Sequence, residues 1–129
     1  MFEPLVLRDE EVVPGLVVVR LGARTLERDH LRRSVEESHQ RWGIWGFSVL
    51  EVPDGDYNQL ARVRPVVADR RQILIADGAE LVDHGFPLLP TLDWPHWTVT
   101  LAAATDAQFD RVAAHFRGPF DNPAFARRR

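Results

Sequence analysis

The stretch Ile44-Trp45-Gly46-Phe47-Ser48-Val49-Leu50 decides how this chain folds. Trp45, Phe47 and Val49 alternate with Ile44, Gly46, Ser48 and Leu50. Successive side chains of a strand leave opposite faces, and here both faces carry apolar residues. That pattern predicts a central strand covered on both sides. Just upstream, Leu31, Val35, Ser38 and Trp42 recur at helical spacing, and Gly43 stops the helix at the position that favours glycine. Thr25 is the expected cap at its start. Further back, the turn Pro14-Gly15 precedes a β-branched run, Leu16 to Arg20, which reads as a buried strand.

Downstream, Pro53 to Asp56 is a turn, and a short helix through Tyr57, Leu60 and Val63 ends at Pro65. Gln72 to Ala76 reads as a strand, and Asp77 to Gly85 as one or two helical turns. Phe86 to Leu89 is extended, and Pro87 makes it an edge segment. The loop Pro90–Pro95 leads to a last strand, His96 to Ala102. Thr105 and Gln108 have capping-box spacing, and Phe109, Val112, Ala113 and Phe116 form the clearest amphipathic helix, closed by Gly118-Pro119. The order β-α-β-α-β-α-β-β-α predicts a single α+β domain over residues 15–118. It would have two layers, with helices packed on a mixed, mostly antiparallel sheet. Residues 1–14 are an expected extended segment, and 119–129 an expected flexible, Arg-rich tail.

Composition bounds the chemistry. The 129 residues, 45% hydrophobic, suffice for one core without staples, and the absence of cysteine excludes disulfides and thiolate chemistry. All 16 basic residues are arginine, so Schiff-base chemistry is excluded and anions must be held by the guanidinium fork. A net charge of −3 argues against broad DNA binding. No apolar run is long enough for a membrane helix, and the acidic N-terminus is unlike a signal peptide, so a cytoplasmic location is expected. No pair of histidines has the spacing of a metal site, and no phosphate-binding glycine loop occurs, so neither metal nor cofactor is expected.

The candidate site centres on His96 and Thr98, two residues apart and therefore on one face of the last strand. His96-Trp97-Thr98 resembles one half of the paired His-x-Thr motif of two-histidine phosphoesterases, in which imidazoles act as acid and base and hydroxyls hold phosphate oxygens. An echo at Gly46-Phe47-Ser48 has glycine where the second histidine would stand. His96 is read first as a structural residue that hydrogen-bonds a loop carbonyl at the strand entry. Arg20, closing an apolar strand, either reaches solvent along its stem or holds an anion. Trp94 and Trp97 flank the strand and are read as core or, if exposed, as stacking surfaces for a base.

The frame Trp42 to Val49, then Gly85 to Thr91, then Pro95 to Val99 resembles a group of small uncharacterised proteins of GC-rich actinobacteria, over roughly residues 16–120. The resemblance implies one member of a two-gene pair with a small protein partner, in the manner of a toxin–antitoxin module. The expected function is a toxin-like enzyme acting on RNA or a nucleotide or phosphate substrate. His96 would be acid/base, Thr98 and Ser48 hydroxyl donors, and Arg20, Trp94 and Trp97 the substrate contacts. The alternative is a non-catalytic subunit that docks a protein partner through the Pro/Trp-rich loop 87–97.

Overall fold

A computed structural model of the chain describes residues 1–126. It is an α+β domain built on one six-stranded sheet. In chain order the elements are β1 (Val17–Leu21), α1 (Arg28–Trp42), β2 (Gly46–Glu51), α2 (Tyr57–Val63), β3 (Gln72–Asp77), α3 (Gly78–Asp83), β4 (Leu88–Leu89), β5 (His96–Thr100), α4 (Asp106–Ala113) and β6 (Arg117–Asp121). The strand order is β4-β5-β2-β1-β3-β6, and every pairing is antiparallel.

The apolar residues that define each strand sort onto two faces. Val18, Phe47, Val49, Trp97 and Val99 face Leu31 and Val35 of α1, Leu81 of α3, and Phe109 and Val112 of α4. Val19 and Ile73 face the other way, against Leu60 of α2 and Val67 of the 3₁₀ turn that follows it. Full burial of each such side chain contributes about 1.5–3 kcal/mol. Both faces are thus covered on β1 and β3, whereas on β2 the second face is covered at Leu50 but open at Ser48, short of what the pattern of Ile44 to Leu50 predicts.

The helix ends follow local chemistry. Gly43 adopts φ 77 at the end of α1, the left-handed conformation an L-residue resists. Asp56 and Asp77 accept backbone N–H groups at the starts of α2 and α3. Thr105 accepts the N–H of Gln108, but the glutamine side chain turns to the N–H of Ala102 rather than completing the box. Thr25 does not cap α1: its hydroxyl donates to Gly22 O at 3.0 Å, and the helix begins at Arg28 after an uncapped Glu27.

The C-terminal region differs from expectation. Residues 117–121 form β6 along the edge of β3 rather than beginning a loose tail. Asn122 is buried beyond it; its amide donates to Val67 O and Arg70 O, and its carbonyl accepts Ala124 N–H. Pro119 signalled a break, but an edge strand tolerates a missing donor. Arg127, Arg128 and Arg129 of the expected tail lie outside the described residues. At the other end, Leu7 bridges to Thr91, and Arg8 Nη1 donates to the carbonyls of Thr91, Leu92 and His96, tying the N-terminal segment to the loop before β5.

Candidate functional site

The site arises where β1 and β2 part. β1 pairs with β3 along its whole length, Val17 to Leu21. With β2 it pairs only at Val18 and Val19, opposite Glu51 and Leu50. Beyond Val19 the edge of β2 that faces β1 is unpaired, although β5 still pairs its other edge, and Arg20 fills the gap. Its Nη1 donates to Ser48 O at 2.7 Å, its Nη2 to Ser34 Oγ at 3.1 Å, and its guanidinium lies 5.3 Å from the Phe47 ring centre. Burial lowers its pKa to about 10, so it stays charged at neutral pH. It makes no ion pair among the described residues, and its Nε is buried without a partner.

The β2–β5 register sets Ser48 opposite Thr98 and Leu50 opposite His96. Ser48, His96 and Thr98 therefore share the face away from α1, whereas Arg20 shares the α1 face with Val18 and Phe47. Arg20 and His96 thus start from opposite faces. They approach the same place only because the missing ladder lets the guanidinium enter the gap and take the Ser48 carbonyl.

A chain of hydrogen bonds links the second set. His96 Nε2 lies 2.9 Å from Ser48 Oγ, and His96 Nδ1 lies 2.7 Å from Thr91 Oγ1 and 3.3 Å from Thr91 O. Thr91 Oγ1 continues to Thr98 Oγ1 at 2.8 Å. Thr91 and Thr98 are buried, whereas Ser48 is exposed. With Nδ1–H donating to Thr91 O, Nε2 is left as an acceptor for the Ser48 hydroxyl. This is a hydroxyl–imidazole pair oriented by a third residue. Burial of His96, with Arg64 and Arg8 adding to it, lowers the imidazole pKa, and the bond to Thr91 O partly opposes this. The ring is therefore neutral at pH 7 and able to accept a proton.

Arg20 and Ser48 line two adjoining cavities. The first, about 320 Å³, also takes in His96, His30, Arg70 and Thr25. No aspartate or glutamate is among its lining residues. His30 has its Nδ1 buried without a partner, and its pKa is lowered by burial and by the Arg20 and Arg33 charges. The second cavity, about 270 Å³, lies toward α1 and takes in Ser34, Ser38, Arg41 and Thr98. Arg20, Ser48 and His96 thus meet in one cavity. Thr98 lines the other and connects to His96 through Thr91.

The tryptophans stand apart. Trp97 is 1% exposed, packs in the α1-side core and donates its Nε1 to Glu51, so it is not a substrate contact. It alternates with His96 and Thr98 and must face away from them. Trp94 is half-buried and lines neither cavity.

Reasoning from the sequence missed three participants. Thr91 lies in the loop Pro90–Pro95, His30 lies on α1, and Arg70 lies between α2 and β3. The only local mark on Thr91 is its place directly after Pro90 in the loop closed by Pro95. No linear signal brings His30 or Arg70 to His96. No protein family, curated protein or solved structure matches the chain.

Proposed function

We propose that this protein is an enzyme acting on RNA or a nucleotide at the cleft between β1 and β2. The observation that carries the reading is the Ser48–His96 pair facing a cavity lined by Arg20, Arg70 and His30 and by no carboxylate. Such a cavity favours an anion, and guanidinium forks match phosphate oxygens. Neutral His96 takes the proton from an attacking hydroxyl, either that of Ser48 or a ribose hydroxyl placed beside it. As the attacking oxygen bonds to phosphorus, the P–O bond to the leaving oxygen breaks, and that oxygen is protonated by water or by the His96 imidazolium. Arg20 and Arg70 carry the charge that grows on the phosphoryl oxygens, and Thr98 holds Thr91, which holds the imidazole. The toxin-like role and a small protein partner belong to the same proposal.

The test incubates the folded chain with bacterial RNA and with nucleoside di- and triphosphates, and follows products by gel and mass spectrometry. His96→Asn, matched to wild type by circular dichroism, should lose turnover by about 10²–10⁴-fold, the usual weight of an acid–base group. Wild-type expression should arrest bacterial growth, and His96→Asn should not. Absence of both turnover and nucleotide binding by the wild type would overturn the proposal.

The second reading, docking of a protein partner through loop 87–97, rests on exposed Val6, Leu7 and Leu92, which adjoin through the bond from Leu92 N to Val6 O. Phe86, Leu88 and Trp97 are spent in the core, so Leu92 is the loop's one exposed large aliphatic residue. Three exposed aliphatic side chains are few against the roughly 20–30 residues a side of a stable interface.

A further inference from the structure

We propose that Glu80, His84 and His115 form a binding site for a divalent transition-metal ion of the zinc type. None of the three residues lines either cavity of the cleft. Glu80 is in the first turn of α3, and His84 follows the end of that helix, four residues on and so on the same side. His115 follows the end of α4. The two helix ends bring one potential ligand atom from each residue to within 4.8 Å of the others.

The local geometry suits a small cation. His115 Nδ1 stands 3.1 Å from Glu80 Oε1. Ligand atoms about 2.0–2.1 Å from a tetrahedral zinc are separated by roughly 3.3 Å, so an ion fits between this pair with little movement. The His84 and His115 rings lie 4.5 Å apart, centre to centre. His84 Nδ1 bonds to Glu80 O at 2.9 Å, which fixes that nitrogen as the donor and leaves Nε2 free. A ligating histidine is oriented in this way, through a backbone carbonyl on its second nitrogen.

The donor set selects the metal. Two imidazoles and one carboxylate suit zinc, nickel, cobalt or copper, whereas magnesium and calcium require oxygen ligands. Arg111 also packs here, with Nη2 on His84 O at 3.4 Å and its guanidinium over Phe86. The Glu80 carboxylate offsets that charge. His84 is exposed and His115 is half-buried, so a fourth position stays open to water. Linear spacing gave no sign of the site, because its third ligand comes from another helix.

Isothermal titration of zinc chloride into the full chain, carrying no polyhistidine tag, tests this. One zinc ion per chain should bind, and magnesium chloride under the same conditions should not. His84→Ala and Glu80→Gln, both at exposed or half-exposed positions, should each weaken zinc by tenfold or more. His96→Gln should leave zinc affinity unchanged, which separates this site from the cleft. No zinc binding by the wild type would overturn the proposal, leaving a His–Glu contact alone. Undiminished binding by His84→Ala would do the same.

Discussion

The two seams of β1 behave differently. Against β3 the strand is paired from Val17 to Leu21, with Ile73, Ile75 and Val19 packed on one side. Against β2 it is paired at two positions, and a charged side chain then takes the place of the ladder. The first seam is a conventional hydrogen-bonded, apolar joint. The second gives up backbone bonds and gains a cavity, a guanidinium with a spare donor and access to the Ser48–His96 pair. The sheet is closed by backbone hydrogen bonds on one side of β1 and opened to a cavity on the other.

Changes at the two seams separate these roles. Ile73→Ala, at the closed seam, should cost about 2–5 kcal/mol, because it empties a fully buried site. Urea denaturation measures it, and nucleotide binding by the folded fraction should persist. Arg20→Met, at the open seam, keeps the stem but removes the donors to Ser48 O and Ser34 Oγ. It should cost about 1–3 kcal/mol and abolish phosphate binding. If Arg20→Met cost as much stability as Ile73→Ala and left binding intact, the two seams would be alike and the contrast would be broken.

The smallest effect is a pH dependence. The His96 and His30 pKa values are lowered in the folded chain, so the unfolded chain, with histidine near 6.5, binds more protons on acidification. Stability should therefore be full above about pH 6.5 and fall as the pH drops toward the lowered folded values. His96→Gln should flatten that slope in thermal melts between about pH 7 and 5. An unchanged slope would show that the open seam does not keep its imidazole neutral.

Much of this contrast was hidden in the sequence. The continuous apolar run within Gln72 to Ala76, the two-faced pattern of Ile44 to Leu50, and helical spacing in α1 and α4 made the core strands and helices legible. β6 was not, because Arg117 to Asp121 is exposed throughout and carries no alternation to read. His96 and Thr98 were legible as a same-face pair from their spacing of two. Ser48 joined them only through the register between two strands some fifty residues apart, which no local pattern encodes. Arg20 was legible as an oddity, a charge ending an apolar strand. Its passage into the gap depends on where the β1–β2 pairing stops. Thr91 and His30 reached His96 through a loop return and a helix placement that only the assembled chain sets.

The bonds of Asn122 carry a mechanical consequence. This one amide clasps the chain after β6 to the carbonyls of Val67 and Arg70, and Arg70 forms part of the cleft wall. The last strand is therefore a latch for a cavity wall formed about fifty residues earlier. Whatever pulls on that end of the chain, such as a protease, a fused domain or a bound protein, has a lever on the shape of the cavity without entering it.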